Sequence, residues 1–410
     1  MEQMKVLISA YACEPYKGSE QGIGWNWVTQ ISKFHDTWVI TRSNNQESIE
    51  QINDPQFGNI NWIYFDLPKW ARFWKRGNRG VQLYYYLWQV GVYFIARKAH
   101  KRIHFDLLHH VTLTRYWTPS FASFLNIPFV WGPVGGGEST PSPIFKTFSL
   151  RGKLLDLARS FARGIAHIDP FVRKTGIRAV MAVATSEETA VKMKAIGCRN
   201  VVIHSNVGLS DSDIKLLSEN LANKEDDKLV FISIGRLLHW KGFHLGLMAY
   251  QIVSHEIGPS EYWVFGDGHE RKKLQKLSMQ LGIQDQIRFW GNVPRNELLA
   301  KIAEGDVLVH PSLHESGGWV CAEAMANRKP VICLDLGGPG LQVTENTGIK
   351  IPAISTKQTI DDIAKAMLKL ANNPELRKEM GEAGLQRVRD HFSWTKKAEY
   401  IRQLYQEILM

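Results

Sequence analysis

The sequence predicts an α/β protein built from two Rossmann-like domains. Its 410 residues suffice for two domains of roughly 200 residues each. Both halves alternate short, β-branched apolar runs with longer amphipathic segments, which is typical of parallel α/β layers. A polar, charge-rich stretch without an apolar run, residues 210–228, separates the halves and is the candidate linker. A hydrophobic fraction of 44% and a charged fraction of 22% exclude a disordered chain.

The apolar runs define the predicted strands. In the first half they are residues 5–9, 37–41, 62–65, 106–109, 129–131 and 180–184, and in the second half 229–234, 262–265, 287–290, 307–309 and 331–334. Leu274, Leu277 and Leu281 share one helical face, as a crossover helix requires. We predict an N-terminal domain over 1–208, a C-terminal domain over 209–390, a cleft between them, and a C-terminal helix over 391–410 that crosses back to the N-terminal domain.

The ends of the chain and the cysteines indicate where the protein is found. The first apolar run, residues 6–8, is too short for a signal peptide, and no run of about 18 apolar residues predicts a transmembrane helix. The four cysteines show no CxxC spacing, so reduced thiols are expected. We expect a cytoplasmic protein that can associate peripherally with the inner face of the cytoplasmic membrane.

The net charge of +10 favours anionic partners. Aromatic and basic residues are interleaved over residues 69–102, and a second basic stretch covers 146–178. Such a composition suits a segment that lies on an anionic bilayer. The alternative is that these aromatic residues fill the core of the N-terminal domain. The basic residues form no recognised nucleic-acid-binding module, so nucleic acid is not an expected partner.

Two basic residues follow the first strand of the second half. Gly235 and Arg236 come directly after residues 229–234, and Lys241 follows five residues later. Open α/β sheets bind ligands at the carboxyl ends of their strands, and two cations near one point suit a diphosphate. The alternative is a solvated loop with two ordinary basic residues.

The most informative stretch is residues 306–326. A buried strand is followed by Glu315, and Gly317 and Gly318 open a helix that begins near Trp319. Backbone N–H groups at a helix start form a phosphate site. Glu315 and Glu323 lie on either side of this helix start, where their carboxylates can accept hydrogen bonds from sugar hydroxyls. Alternatively, Glu315 only complements the helix dipole and Glu323 is a surface charge.

Together these motifs resemble the GT-B-fold retaining glycosyltransferases called glycosyl transferases group 1. The matching pieces occur in the family's order across about 100 residues: Gly235-Arg236 with Lys241-Gly242, Gly266-Asp267-Gly268, residues 289–291, residues 306–312, and the pair Glu315 and Glu323. One departure is the run 337–341, where the family commonly has a glutamate and this chain has Leu341. No role passes to a glutamate there.

The resemblance implies how a nucleoside-diphosphate sugar, with UDP or GDP as the nucleotide, is bound. Arg236 and Lys241 hold the diphosphate beside the amides near Gly318, Glu323 holds the ribose, and Glu315 orients the transferred sugar. It also implies retention of the anomeric configuration, no metal cofactor and no covalent nucleophile. A non-transferring relative such as a sugar-nucleotide epimerase is the alternative. We interpret the triplet at 211–213, Asp-Ser-Asp, as a solvated loop rather than a metal site.

The first half resembles bacterial surface-polysaccharide glycosyltransferases more loosely. Its first loop places Gly22 before a helix predicted to begin near Trp25, so Gly22 is a candidate donor-binding residue and Glu20 a candidate acceptor contact. The glycine run 132–138 repeats this design after another strand. His109 and His110 end a strand where the family has a functional histidine, and we favour His110. The alternative is a buried core histidine. A saccharide, lipid-linked in the preferred interpretation, is the expected acceptor.

Overall fold

The computed structural model describes residues 3–52, 54–75, 77, 79–146, 148, 150–219 and 228–409. The chain forms two compact units. The first unit comprises Met1–Gly137, Ala158–Asn206 and Lys397–Met410, and the second comprises Glu138–Leu157 and Val207–Lys396. Each unit is therefore assembled from segments that are not continuous in sequence.

Each unit contains one parallel sheet. The strands of the first are β1 (Lys5–Ser9), β2 (Asp36–Thr41), β3 (Ile60–Tyr64), β4 (Leu107–His110), β5 (Phe129–Val134), β6 (Met181–Ala184) and β7 (Val201–Ile203), in the order 3-2-1-4-5-6-7. The strands of the second are β8 (Leu229–Ile234), β9 (Ser260–Phe265), β10 (Ile287–Gly291), β11 (Val307–His310), β12 (Val331–Leu334) and β13 (Gly348–Ile351), in the order 10-9-8-11-12-13. Both orders reverse direction beside their first strand, as in doubly wound Rossmann-like sheets.

Helices connect the strands. The first eight are α1 (Ser19–Ile31), α2 (Gln46–Glu50), α3 (Lys69–Arg72), α4 (Val81–Ile103), α5 (Ser142–Phe145), α6 (Leu150–Ala166), α7 (Pro170–Arg178) and α8 (Glu187–Ala195). The others are α9 (Asp211–Glu219), α10 (Phe243–Val253), α11 (Arg271–Gln280), α12 (Arg295–Glu304), α13 (Trp319–Ala326), α14 (Gly337–Gln342), α15 (Thr356–Ala371), α16 (Pro374–Arg387) and α17 (Trp394–Leu409). None of the helices in the described parts of the chain is long and apolar enough to span a membrane.

The central strands are apolar throughout because both faces of each sheet are covered. All six residues of β8 are buried. Leu229 and Phe231 pack into one apolar cluster of the second unit, whereas Val230 and Ile232 pack into another, so alternate side chains supply opposite faces of the sheet. This arrangement fixes the carboxyl ends of β8, β9, β11 and β12 at one edge.

The predicted strands are all present, with small differences at their ends, but the sequence missed β7 and β13. Both are edge strands of three or four residues. In β13 two of the four residues are only partly buried, and in β7 all three are. Both strands are short and only partly buried, so neither shows the long continuous apolar run that marks a central strand.

The prediction of an unstructured linker over 210–228 is wrong for α9. Ile214 and Leu217 are buried on one face of this helix, and the Ser210 hydroxyl accepts a hydrogen bond from the Asp213 amide at 3.0 Å, which caps the first turn. The Asp-Ser-Asp triplet is therefore the start of a helix and not a solvated loop. Residues 220–227 of the predicted linker lie outside the described residues.

The aromatic residues of the 69–102 stretch divide between core and surface. Tyr84, Tyr85 and Trp88 of α4 are buried in the apolar cluster of the first unit. Trp70 and Phe94, in contrast, are 78% and 61% exposed. The core alternative is therefore confirmed for the buried face of α4, and the exposed aromatic residues leave the membrane contact a prediction.

The last helix, α17, contributes its residues from Lys397 onward to the first unit. The Tyr405 hydroxyl lies 2.6 Å from Nδ1 of His109, and the Lys397 ammonium donates to the Ser205 carbonyl at 2.5 Å. Lys397 is fully buried, and burial lowers its pKa to about 7. A polar contact and a buried amine therefore hold this helix against β4 and the residues after β7.

Candidate functional site

Four sequence motifs meet at the carboxyl edge of the second sheet. Gly235-Arg236 follows β8, Gly266–Gly268 follows β9, residues 311–318 follow β11 and Gly337 follows β12. This is the edge where open parallel sheets bind ligands. The structure confirms the predicted succession of strand, loop and helix after β9 and after β11.

Two glycines shape this edge. Gly242, at φ +68°, precedes α10, and a Cβ atom there would overlap the carbonyl oxygen of Pro311. Gly318, at φ +104°, is the N-cap of α13, and no side chain caps it among the residues that the structure describes. Both need a positive φ that other residues adopt only with strain. The first N–H groups of α13 therefore lack a capping side chain among the described residues, and Gly317 and Gly318 precede Trp319 at the helix start, as the sequence predicted.

Glu315 is a carboxylate of the site that contacts two basic side chains. One carboxylate oxygen, Oε2, lies 2.7 Å from the Lys241 ammonium and 2.6 Å from Nε2 of His310. Burial acts to raise the pKa of Glu315, but the charges of Lys241 and His310 and their hydrogen bonds outweigh it and hold this pKa well below its usual range. The carboxylate therefore stays ionised and is held in place from two sides.

The two basic residues predicted to share one diphosphate have different surroundings. Lys241 is paired with Glu315, and its side chain is 13% exposed. Arg236 is exposed, and its guanidinium makes no hydrogen bond or ion pair with any part of the chain that the structure describes. Arg236 is thus the cation available to a ligand, whereas Lys241 also orients Glu315.

The loop that carries Glu315 is fastened by three hydrogen bonds. The Gly338 amide donates to the Glu315 carbonyl at 2.8 Å, and the Gln342 side-chain amide donates to the Gly317 carbonyl at 2.7 Å. The Ser316 hydroxyl donates to the Glu138 carboxylate at 2.7 Å. The amides of this loop are therefore held in one orientation before any ligand binds.

Glu323 is not the surface charge considered as an alternative. It is 3% exposed in α13, and its carboxylate lies 2.6 Å from the guanidinium of Arg295, whose side chain is half exposed. A buried carboxylate requires such a partner. Arg295, directly after Pro294 at the start of α12, fixes the orientation of Glu323.

Gly22 occupies a different setting from the predicted one. It lies inside α1, which begins at Ser19 and not near Trp25. A Cβ atom at Gly22 would overlap the Lys17 carbonyl oxygen, so close backbone packing explains the glycine. Glu20 is likewise engaged within the first unit, where its carboxylate accepts a hydrogen bond from the Leu113 amide at 3.1 Å.

His109 and His110 end β4, as predicted, but each is only 1% exposed. Nε2 of His109 lies 2.7 Å from the Gly132 carbonyl, and Nε2 of His110 lies 3.0 Å from the Tyr85 hydroxyl. Burial lowers the pKa of His109 to about 4 and that of His110 to about 3, so both rings are neutral near pH 7. Their surroundings are those of the alternative, a core histidine.

Sequence reasoning missed four residues that contact the site residues or their neighbours in the chain. His310 and Arg295 pair with the two glutamates, and Glu138 and Asp156 belong to a segment that the sequence assigned to the first domain. His310 is the last residue of β11 and directly precedes Pro-Ser, so its position at a strand end could have marked it as a candidate site residue from the sequence. Nothing local in the sequence marks the other three, because their partners Glu323, Ser316 and His239 are at least 28 residues away.

Comparison with known proteins identifies a matching family model and similar chains. Residues 217–387 match the family model described as glycosyl transferases group 1. The chain is 27% identical over 184 residues to alpha-D-kanosaminyltransferase of Streptomyces kanamyceticus, which covers 45% of this chain and 47% of that protein. It is 31% identical over 169 residues to lipopolysaccharide core biosynthesis glycosyltransferase LpsD of Rhizobium meliloti, which covers 41% of this chain and 46% of that protein. The chain thus matches just under half the length of these relatives.

Among solved structures, Anabaena HepE in complex with UDP superposes with a TM-score of 0.64 at 19% identity, over 98% of this chain and 100% of that chain. At this identity the likeness concerns the fold, and it confirms the predicted class of two Rossmann-like domains of the GT-B type. The family match lies within the second unit and includes Arg236, Lys241, Glu315 and Glu323. Residues 217–387 are therefore similar to the glycosyl transferases group 1 family.

Proposed function

We propose that this protein transfers a sugar from a nucleoside-diphosphate sugar to a hydroxyl group of a saccharide acceptor, in the synthesis of a cell-surface polysaccharide. The observation that carries the proposal is the ionised Glu315, held by Lys241 and His310 beside the open N-terminus of α13. This arrangement offers a hydrogen-bond acceptor for sugar hydroxyls next to donors for a diphosphate. The relative in Rhizobium meliloti, named for lipopolysaccharide core biosynthesis, supports the assignment to surface polysaccharide.

The proposed donor site assigns one task to each group. The exposed guanidinium of Arg236 and the amides of Gly318 and Trp319 bind the diphosphate, and Lys241 adds positive charge beside it. As the bond to the sugar breaks, negative charge grows on the leaving phosphate, and these preorganised donors stabilise it without a metal ion. Glu323 accepts hydrogen bonds from the ribose. We propose a UDP-sugar as the first donor to test, because HepE is a structural neighbour described in complex with UDP.

Retention of the anomeric configuration is the proposed stereochemistry. In this mechanism the acceptor hydroxyl attacks the face that the nucleoside diphosphate leaves, and Glu315 orients the sugar instead of attacking it. NMR of the product with a donor of known anomeric configuration tests this, since an inverted product would contradict it. Incubation of the donor alone tests the epimerase alternative, for which the donor would isomerise without an acceptor.

A thermal-shift panel tests the donor site. UDP, GDP, ADP, dTDP and CMP are added with and without EDTA to wild type, Arg236→Ala and the control Lys272→Ala, which removes an exposed positive charge from α11. A ligand at 100 times its Kd stabilises the folded state by about 2.7 kcal/mol. We expect stabilisation by one diphosphate, unaffected by EDTA, present in Lys272→Ala and lost in Arg236→Ala. Equal shifts in both variants would contradict the role of Arg236.

We also propose that the first unit contacts an anionic membrane surface and that the acceptor is lipid-linked. The exposed stripe of α4 carries Leu83, Leu87 and Phe94, which are 57%, 39% and 61% exposed, followed by exposed Arg97 and Lys98. The helix contains no acidic residue. An apolar stripe that continues into basic residues suits an anionic lipid surface.

Liposome co-sedimentation tests the membrane contact. We expect binding to anionic and not to neutral vesicles, reduced in Phe94→Ser. The control Ile354→Ser changes an apolar side chain of the second unit that is 67% exposed and should bind as wild type does. Equal binding to both vesicle types would refute the electrostatic contribution.

A further inference from the structure

The segment Glu138–Leu157 belongs to the second unit, although the strands before and after it, β5 and β6, lie in the first sheet. Its apolar residues Ile144 and Phe148 are part of the core of the second unit. The segment is therefore packed within the second unit, yet it lies outside the residues 217–387 that match the family model.

The first residue of the segment reaches the donor loop. Glu138 is 2% exposed, and its carboxylate accepts a hydrogen bond from the Ser316 hydroxyl at 2.7 Å. A Cβ atom at Gly337 would lie 3.1 Å from Cγ of Glu138, so the glycine leaves room for this side chain. Ser316 lies between Glu315 and Gly317, and hence between the proposed sugar contact and the proposed diphosphate contacts.

Near its C-terminal end, the segment also contacts chain neighbours of Lys241 and Glu315. Oδ1 of Asp156 lies 3.7 Å from Nε2 of His239 and 3.7 Å from Nε2 of His314. Both imidazole side chains are 4% exposed. His314 directly precedes Glu315, and His239 is two residues from Lys241. One carboxylate thus contacts both chain segments that form the Lys241–Glu315 ion pair.

Burial acts to raise the pKa of Asp156, but His239 and His314, together with a hydrogen bond from Thr140, outweigh it and hold this pKa well below its usual range. The Thr140 hydroxyl donates to Oδ2 at 3.1 Å. Asp156 is therefore an ionised group with a partner on each of its oxygens, and its position is fixed.

We propose that Glu138 and Asp156 are positioning residues of the donor site, which hold the 314–318 loop and the 239–241 turn in the geometry that binds the donor. The inference rests on the proposed function and extends it to two residues outside the matched domain. Glu138 orients the loop amides through Ser316, and Asp156 sets the spacing between Lys241 and Glu315. Neither side chain is assigned a contact with the donor.

A double-mutant cycle with calorimetric measurement of UDP and UDP-sugar binding tests this. Loss of one hydrogen bond to a charged group should raise the donor Kd about tenfold in Glu138→Ala and also in Ser316→Ala. The double variant should show about the same tenfold loss, because both changes remove one interaction. Glu138→Gln, whose amide oxygen still accepts from Ser316, should recover most of the affinity. Asp156→Ala should raise the Kd of the UDP-sugar more than that of UDP, because Glu315 contacts the sugar.

The outcomes separate this inference from the function on which it rests. Binding by wild type with an unchanged donor Kd in Glu138→Ala and Asp156→Ala, even with a lower Tm, would overturn the inference alone, because a structural role changes Tm and not the Kd. Additive losses in the double variant would overturn the path from Glu138 through Ser316. Absence of binding by wild type to any nucleotide of the panel would overturn the proposed function and the inference together.

Discussion

Replacement of Gly242 by alanine tests how tightly the carboxyl edge of the second sheet, the candidate donor site, is packed. Gly242 is at φ +68°, and a Cβ atom there would overlap the Pro311 carbonyl oxygen. Gly258 has the same φ of +68°, but a Cβ atom there would meet nothing within 4 Å. The pair Gly242→Ala and Gly258→Ala therefore separates the cost of the backbone conformation from the cost of the overlap.

The expected magnitudes follow from these two costs. A non-glycine residue in the left-handed region costs about 1 kcal/mol, and this is all that we expect for Gly258→Ala. An added methyl group that forces backbone to move costs about 2 kcal/mol more, so Gly242→Ala should cost about 3 kcal/mol. At about 3 °C per kcal/mol for a domain of this size, the shifts in Tm are about 3 °C and about 9 °C.

The assay is thermal unfolding of the full chain, combined with UDP binding at a temperature where both variants are folded. Gly242→Ala should also lose affinity for UDP, because Gly242 follows Lys241 and must move away from Pro311. Gly258→Ala should bind as wild type does. Equal Tm shifts in the two variants, or unchanged UDP affinity in Gly242→Ala, would refute the reasoning that the edge has no room for a side chain at Gly242.

Three further predictions concern charged and titrating groups. Because the pKa of Lys397 falls to about 7 on folding, the unfolded chain binds more protons than the folded chain between about pH 7 and pH 10, and the free energy of unfolding rises with pH there. Urea unfolding measures this rise, which should be smaller in Lys397→Met. Because the pKa of His109 falls to about 4, stability should decrease by about 3 kcal/mol as the pH falls from about 6.5 to 4, and His109→Gln should flatten that decrease. Arg295→Ala leaves the buried Glu323 without its partner and should lower the free energy of unfolding by about 3 kcal/mol. The double variant Arg295→Ala with Glu323→Gln removes both charges and should lower it by less. An equal or larger loss in the double variant would contradict this pairing.

Much of the fold could be predicted from the sequence because the signals are local. Central parallel strands such as β8 are buried on both faces and appear as continuous apolar runs. The edge strands lack that signal because they are short and only partly buried, and the short helix α9 lacks it because one of its faces is exposed. The linker assignment failed for this reason: α9 buries only a few residues within a polar segment.

The sequence by itself determined which strand ends and helix starts carry the candidate donor residues, because strand, glycine and charge occur in a fixed order within about 100 residues. Arg236, Lys241, Glu315 and Gly318 lie where that order predicted. Only the tertiary structure decided the partners of these residues. The pairing of Glu138 with Ser316 joins residues 178 positions apart, and no local pattern encodes such a contact.

The same distinction explains the histidines. The sequence placed His109 and His110 correctly at a strand end, where side chains often face a ligand. Their burial depends on Tyr85 of α4 and on Tyr405, which follows His109 by 296 residues. Periodicity and spacing determine which element a residue belongs to, whereas the packing of distant segments determines whether its side chain meets solvent, ligand or core.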